Sequence, residues 1–136
     1  MSLKVKVRID FDEVHAVGPG KIALLERMCD TGSLSQAARE LDISYRRAWQ
    51  LLDSLNTSFN EPVIVTSVGG KGGGGSEITD LGRELIRAYR AFEQEMTQQA
   101  QHYFKPLRTQ VAASVASRRS ATKSARKKRA RGSTRT

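Results

Sequence analysis

The side chains in this sequence best suited to touching another molecule chemically are Tyr45, Arg46, Arg47 and Gln50, crowded into one short stretch. A guanidinium fork matches the two acceptors on the major-groove edge of guanine, and a carboxamide matches the donor and acceptor of adenine, each for about 1–3 kcal/mol of discrimination. That is recognition rather than bond-making. No stretch brings an acid, a base and a nucleophile together, so the sequence does not suggest an enzyme. Cys29 is the single cysteine, which excludes an internal disulfide, and its neighbours Leu24, Leu25 and Met28 predict a buried thiol. His15 and His102 lie far apart, and no ligand pair has the short spacing of a metal site, so neither metal nor cofactor is expected. Lys71 stands inside the glycine run of residues 69–75, but Gly72 follows it where a nucleotide-cradling loop needs Ser or Thr.

These residues need a rigid support, and the hydrophobic periodicity supplies one. Val5, Val7, Ile9 and Phe11 alternate with charged residues, as in a strand with one buried face. After Gly18-Pro19-Gly20, Ile22, Leu25, Met28 and Cys29 recur at helical steps until Gly32. Ser33 or Ser35 can cap a short second helix ending at Leu41, and Ser44 a third, Tyr45 to Phe59, whose apolar positions are Ala48, Leu52, Leu55 and Phe59. Trp49 follows Ala48 and is assigned to the core. Two short helices joined by a tight turn, with Arg, Tyr and Gln opening the second, form the helix-turn-helix layout.

Pro62 ends the helical pattern, and Val63 to Thr66 reads as a strand. The loop from Val68 to Ser76 and the pair Glu77-Ile78 complete a hairpin. Thr79 can cap a long last helix with an apolar stripe of Leu81, Leu85, Ala88, Phe92, Met96 and Tyr103, more than a small domain covers by itself. A second copy is therefore expected on that stripe. The predicted fold class is mainly α with a small β-hairpin wing, in the order β-α-α-α-β-β-α. It divides into a reading domain at 1–78, a dimerisation helix at 79–104 and a basic disordered tail at 105–136, with Pro106 at the boundary.

The net charge of +9 is unevenly spread: eleven of the 23 Lys and Arg lie from Lys105 onward without one acid. Such a block suits a solvated arm for an anionic partner. No run is long and apolar enough for a membrane span or a signal peptide, so a cytoplasmic, nucleoid-associated protein is expected.

Gly32-Ser33-Leu34-Ser35-Gln36-Ala37-Ala38, then Ile43-Ser44-Tyr45 with Ala48-Trp49, then the glycine run 69–75 around Lys71 resemble, in order and spacing, the N-terminal domain of ModE-type molybdate-responsive regulators of bacteria. A more distant similarity, including Leu81-Gly82, is to the winged heads of LysR-type regulators. The resemblance covers about residues 3 to 104. It implies a winged helix-turn-helix, dimerised by its last helix, regulating transcription at a palindromic operator on double-stranded DNA. Tyr45, Arg46, Arg47 and Gln50 are then expected at base edges. Ser33, Ser35, Gln36, Ser44, Lys71, Gly72, Gly73 and Thr79 are expected at the phosphate backbone. Only a basic stretch follows the long helix, so no molybdate site is expected on this chain. Two other readings are an architectural DNA binder dominated by the tail, and a protein-interaction module that keeps the fold.

Overall fold

The computed structural model describes residues 3–67 and 75–112. By contacts the chain divides into two units, residues 1–99 and 100–136. The elements run β1 (Ile9–Asp10), β2 (Ala16–Val17), α1 (Pro19–Thr31), α2 (Leu34–Glu40), α3 (Tyr45–Ser58), β3 (Ile64–Ser67), β4 (Gly75–Ile78) and α4 (Asp80–Arg108). The predicted chain of elements is present with one addition, β2, so the described residues are mainly helical with two small antiparallel pairs.

The N-terminal strand is shorter than its alternation predicts. Val5 and Val7 are half-buried and their charged neighbours exposed, but only Ile9 and Asp10 pair, with Val17 and Ala16. The turn between them carries no glycine or proline because the Asp12 side chain builds it. Its Oδ1 accepts from the amides of Val14 (2.8 Å) and His15 (2.6 Å), and its Oδ2 lies 2.7 Å from His15 Nδ1. The His15 ring, with those two amide bonds, lowers the Asp12 pKa to about 2. Phe11, expected inside, is exposed where the chain bends into this turn, and meets Phe59 edge to face at 5.8 Å between ring centres.

Helix α1 starts with Pro19, which lacks an amide that would have had no partner there, and stops at Gly32, whose φ of 67° lies in the left-handed region. Its buried side carries Ile22, Leu24, Leu25 and Met28. Cys29 is exposed, contrary to expectation: in the last turn Met28 occupies the core side, and the next residue is carried about 100° around the axis.

Between α2 and α3 the chain reverses in four residues. The Asp42 amide donates to Arg39 O (3.1 Å) and the Ile43 amide to Ala38 O (3.0 Å), the bond pair of a Schellman closure. Asp42 takes the left-handed position at φ 56°, usually a glycine's place, which a short polar side chain tolerates better than most. Ala37 and Ala38 of α2 and Ala48 of α3 are buried. Small side chains let the two short helices lie close together.

Strands β3 and β4 pair from Ile64↔Ile78 to Ser67↔Gly75; β3 lies one residue later than predicted, and β4 begins two residues earlier, taking in Gly75 and Ser76 from the predicted loop. Residues 68–74, and with them Lys71, Gly72 and Gly73, lie outside the described residues. The hairpin base is fixed at three places. The Ser76 amide donates to Gly32 O at 3.0 Å, which joins it to the end of α1. Asn56 on α3 accepts from the amides of Val63 and Ile64 and donates to Ile64 O. Gly82 sits so close beneath β3 that a Cβ there would overlap the Val63 carbonyl and reach within 2.7 Å of Ile78 Cγ1.

Helix α4 runs through Pro106 to Arg108, past the predicted boundary; the proline lies in the last turn, where few backbone bonds remain to be lost. Its inward side differs from the predicted stripe. Gly82 and Tyr89 are buried and Leu81, Leu85 and Ile86 pack against the core, while Ala88 and Phe92 are exposed. Tyr89 is fully buried and its hydroxyl donates to Val7 O at 2.6 Å, tying the N-terminal segment to the helix. Burial raises its pKa. Arg90 grips Glu26 of α1 through Nε (3.0 Å) and Nη2 (2.5 Å) and also bonds Glu93, so its own pKa is pushed further up.

Replacing Gly82 with alanine forces the hairpin base away from α4. The expected loss is at least about 2–3 kcal/mol, or a Tm drop of more than roughly 10 °C. Urea and thermal unfolding followed by circular dichroism measure it; an unchanged Tm would show that β3 and α4 are not in this contact.

Candidate nucleic-acid interface

Helix α3 begins at Ser44, whose hydroxyl oxygen accepts from the Arg47 amide at 3.0 Å. The same device opens α2, where Ser33 Oγ accepts from the Gln36 amide at 3.2 Å. Each cap fills one of the donors a helix start leaves open. On α3, Ala48, Leu52 and Leu55 recur at steps of four and three and sink into the core. A helix so anchored must turn its other sides outward.

What it turns outward is the predicted set: Tyr45, Arg46, Arg47 and Gln50 are all exposed. Among the described residues neither Arg46 nor Arg47 has a carboxylate within ion-pair distance. Two uncompensated guanidinium groups therefore project from the first turn. Arg47 also belongs to a wider cationic patch. Lys21 at the start of α1 donates to Ala16 O and Ser54 Oγ, both at 2.8 Å, and its pKa is lowered by partial burial and then by the charges of Arg8 and Arg47.

Trp49 is the main departure from expectation. It is 53% exposed and Tyr45, one turn earlier, 57%. With Ala48 directed inward, the following residue is rotated about 100° out of the core. Beside these two rings lies an open cleft of about 410 Å³ between α3, the start of α2 and the hairpin, lined by Ser33, Leu34, Ser35, Tyr45, Trp49, Leu52, Asp53, Asn56, Thr66, Gly75 and Ser76.

The other predicted contacts are distributed as follows. Ser33 and Ser35 are on the cleft wall, Ser35 exposed and Ser33 also engaged as cap. Gln36 is tied along α2 by bonds to Glu40 (3.2 Å) and from Arg39 (2.7 Å). The Thr79 hydroxyl donates to Pro62 O (2.8 Å) and accepts from the Gly82 amide (3.1 Å), so its role within the fold is to cap α4 and hold the hairpin. Lys21 and Asn56 join the site without having been expected there. An asparagine in the last turn of a helix, six residues before Pro62, was the available signal for the second.

Two more properties bear on the surface. Among the described residues, no helix is long and apolar enough to cross a membrane. On α4, Phe92 is exposed in the first unit; in the second unit Tyr103, Phe104 and Leu107 are exposed.

Comparison with known proteins agrees with the sequence motifs. The chain is 38% identical over 90 residues to the molybdenum transport protein ModE of Azotobacter vinelandii, covering 66% of this chain and 33% of that protein. It is 43% identical over 77 residues to the molybdenum-pterin-binding protein MopB of Rhodobacter capsulatus, 57% of this chain and 28% of that protein. It is 32% identical over 89 residues to the DNA-binding transcriptional dual regulator ModE of Escherichia coli (strain K12), 65% of this chain and 34% of that protein. The chain thus spans about a third of the length of the curated relatives it matches. No family model matches it.

Removing the α3 cap with Ser44→Ala is expected to cost about 1 kcal/mol. Amide exchange at Arg47 and Ala48 should accelerate while that at Leu55 stays unchanged, which hydrogen-exchange mass spectrometry or NMR can follow; equal acceleration at both ends of α3 would contradict the local role given to Ser44.

Proposed function

We propose that this chain is a winged helix-turn-helix, sequence-specific DNA-binding regulator of transcription that acts as a dimer on a two-fold operator, in keeping with its similarity to the N-terminal part of ModE proteins. One observation carries the reading: the first turns of α3 present Tyr45, Arg46, Arg47 and Gln50 to solvent, the two arginines without ion partners among the described residues, while Ala48, Leu52 and Leu55 lock the helix behind them. A helix with its opening residues free and its body fixed is what entry into a major groove requires. The named activity of the Escherichia coli relative, a DNA-binding transcriptional regulator, supports the same assignment.

In this reading α3 lies in the major groove with Arg46 and Arg47 on guanine edges and Gln50 on adenine. The start of α2, with Ser33, Ser35 and Gln36, and the start of α3 at Ser44 approach phosphates, where helix N-termini favour negative charge. The β3–β4 hairpin is the wing, and Lys71, Gly72 and Gly73, outside the described residues, contact the backbone beside it; Thr79 supports that wing from below. The basic residues beyond Lys105 add attraction that does not depend on sequence.

The second copy is proposed on α4 at the exposed Ala88 and Phe92 and the half-buried Met96; Tyr103, in the second unit, is proposed as a further contact. Leu81 and Leu85 support that helix from the core side. Two recognition helices would then meet successive grooves about 34–36 Å apart. A bacterial cytoplasmic location at the nucleoid follows from this function.

Selection of bound duplexes from a random pool tests the assignment, followed by titration of the preferred duplex with Arg46→Ala and Arg47→Ala. Each variant is expected to bind about 5–100-fold more weakly and to relax preference at its own base position, at about 1–3 kcal/mol per lost base contact. Wild-type affinity and preference in both variants would refute the base-reading role.

The dimer is tested separately with Phe92→Glu. Sedimentation velocity should find the wild type as a dimer and the variant as a monomer with an unchanged circular dichroism spectrum. A dimer that persists unaltered would show that the exposed side of α4 is not the interface.

A further inference from the structure

We infer that Trp49 is a base-reading residue specific for thymine, packing its indole against the C5-methyl group; the inference rests on the DNA-reading function proposed above. The position is defined by geometry. Tyr45 and Trp49 are four residues apart on α3, hence stacked on one side of the helix, and both are more than half exposed. They form one wall of the cleft whose opposite wall holds Ser33, Thr66 and Ser76. Among the described residues the indole N–H has no hydrogen-bond partner.

The fold does not require this ring. Helix α3 is anchored by Ala48, Leu52 and Leu55, and Trp49 adds little to that seat. A large apolar ring left beside two unpaired arginines is an anchor of the kind that recognition surfaces bury on binding.

The chemistry of the ring selects the target. An indole donates one hydrogen bond and accepts none, so it cannot satisfy the amino groups that adenine and cytosine display in the major groove. Guanine offers acceptors only, for which the neighbouring arginines are better suited. Thymine alone displays an apolar group, its C5-methyl, beside an acceptor that the indole N–H can reach. The hydroxyls on the far wall suit the sugar-phosphate edge of the same strand.

The test uses the full chain and the duplex it prefers from a random pool, with each thymine replaced singly by deoxyuridine, which removes only the methyl group. Wild-type protein is expected to lose about 5–10-fold in affinity at one thymine per half-site. Trp49→Ala, which removes the ring from both protomers of the proposed dimer, should bind the all-thymine duplex about 25–100-fold more weakly and be indifferent to uracil at that position, and Trp49→Phe should keep part of the discrimination. Trp49 is the only tryptophan, so its fluorescence reports contact directly, with quenching by the thymine duplex exceeding that by the uracil duplex.

Wild-type indifference to uracil at every position would overturn the inference without any variant having to fold. So would a Trp49→Ala protein that discriminates as the wild type does. A pool from which no sequence is enriched would instead remove the DNA-reading function itself, and this inference with it.

Discussion

The seat of α3 is the constraint on which the rest depends. Ala48 and Leu55 are wholly inaccessible and Leu52 nearly so, and opposite them α2 offers Ala37 and Ala38. Alanines at this crossing permit close approach of the two helices. With one side of a fourteen-residue helix held in this way, the orientation of Tyr45, Arg46, Trp49 and Gln50 follows from helical geometry alone. Their exposure is a consequence of packing elsewhere.

The other elements keep that seat in place. The hairpin is joined to α1 by the Ser76 amide on Gly32 O, to α3 by Asn56 and to α4 by the Gly82 contact and the Thr79 hydroxyl. Each of these bonds is modest, about 0.5–1.5 kcal/mol net. Their effect is positional: they fix the wall of the cleft that faces Tyr45 and Trp49. On the far side, the Tyr89 hydroxyl on Val7 O and the Arg90 clasp on Glu26 hold α4 to the N-terminal segment and to α1.

The sequence was legible wherever a local rule acts alone. Pro19 and Gly32 bounded α1, Ser44 marked the start of α3, and the exposed residues of α3 were identified by period and residue type. It was misread where neighbours in space decide. Trp49 and Cys29 each follow a buried residue, and hydrophobicity favoured the core for both; the structure places them one helical step past it. Strand β2 was missed because Asp12 makes its turn with a carboxylate rather than with glycine or proline. Gly82 looked like a helix residue of poor propensity, and only the carbonyl of Val63, nineteen positions away in the chain, explains it. The stripe drawn on α4 for a second copy includes Leu81 and Leu85, which the core partly covers, while the core also uses Gly82, Ile86 and Tyr89, about a quarter-turn from Leu85, which the apolar spacing alone did not separate.

Under the proposed function the opening turns of α3, rather than the cationic C-terminal residues, form the specific contact with a duplex. Amide-resolved NMR of the full chain titrated with its preferred duplex at moderate salt measures this most directly. The largest shift changes are expected at Leu34 to Gln36, Tyr45 to Asp53 and the β3–β4 hairpin, different for preferred and scrambled duplexes. Changes confined to residues beyond Lys105, and identical for the two duplexes, would contradict it.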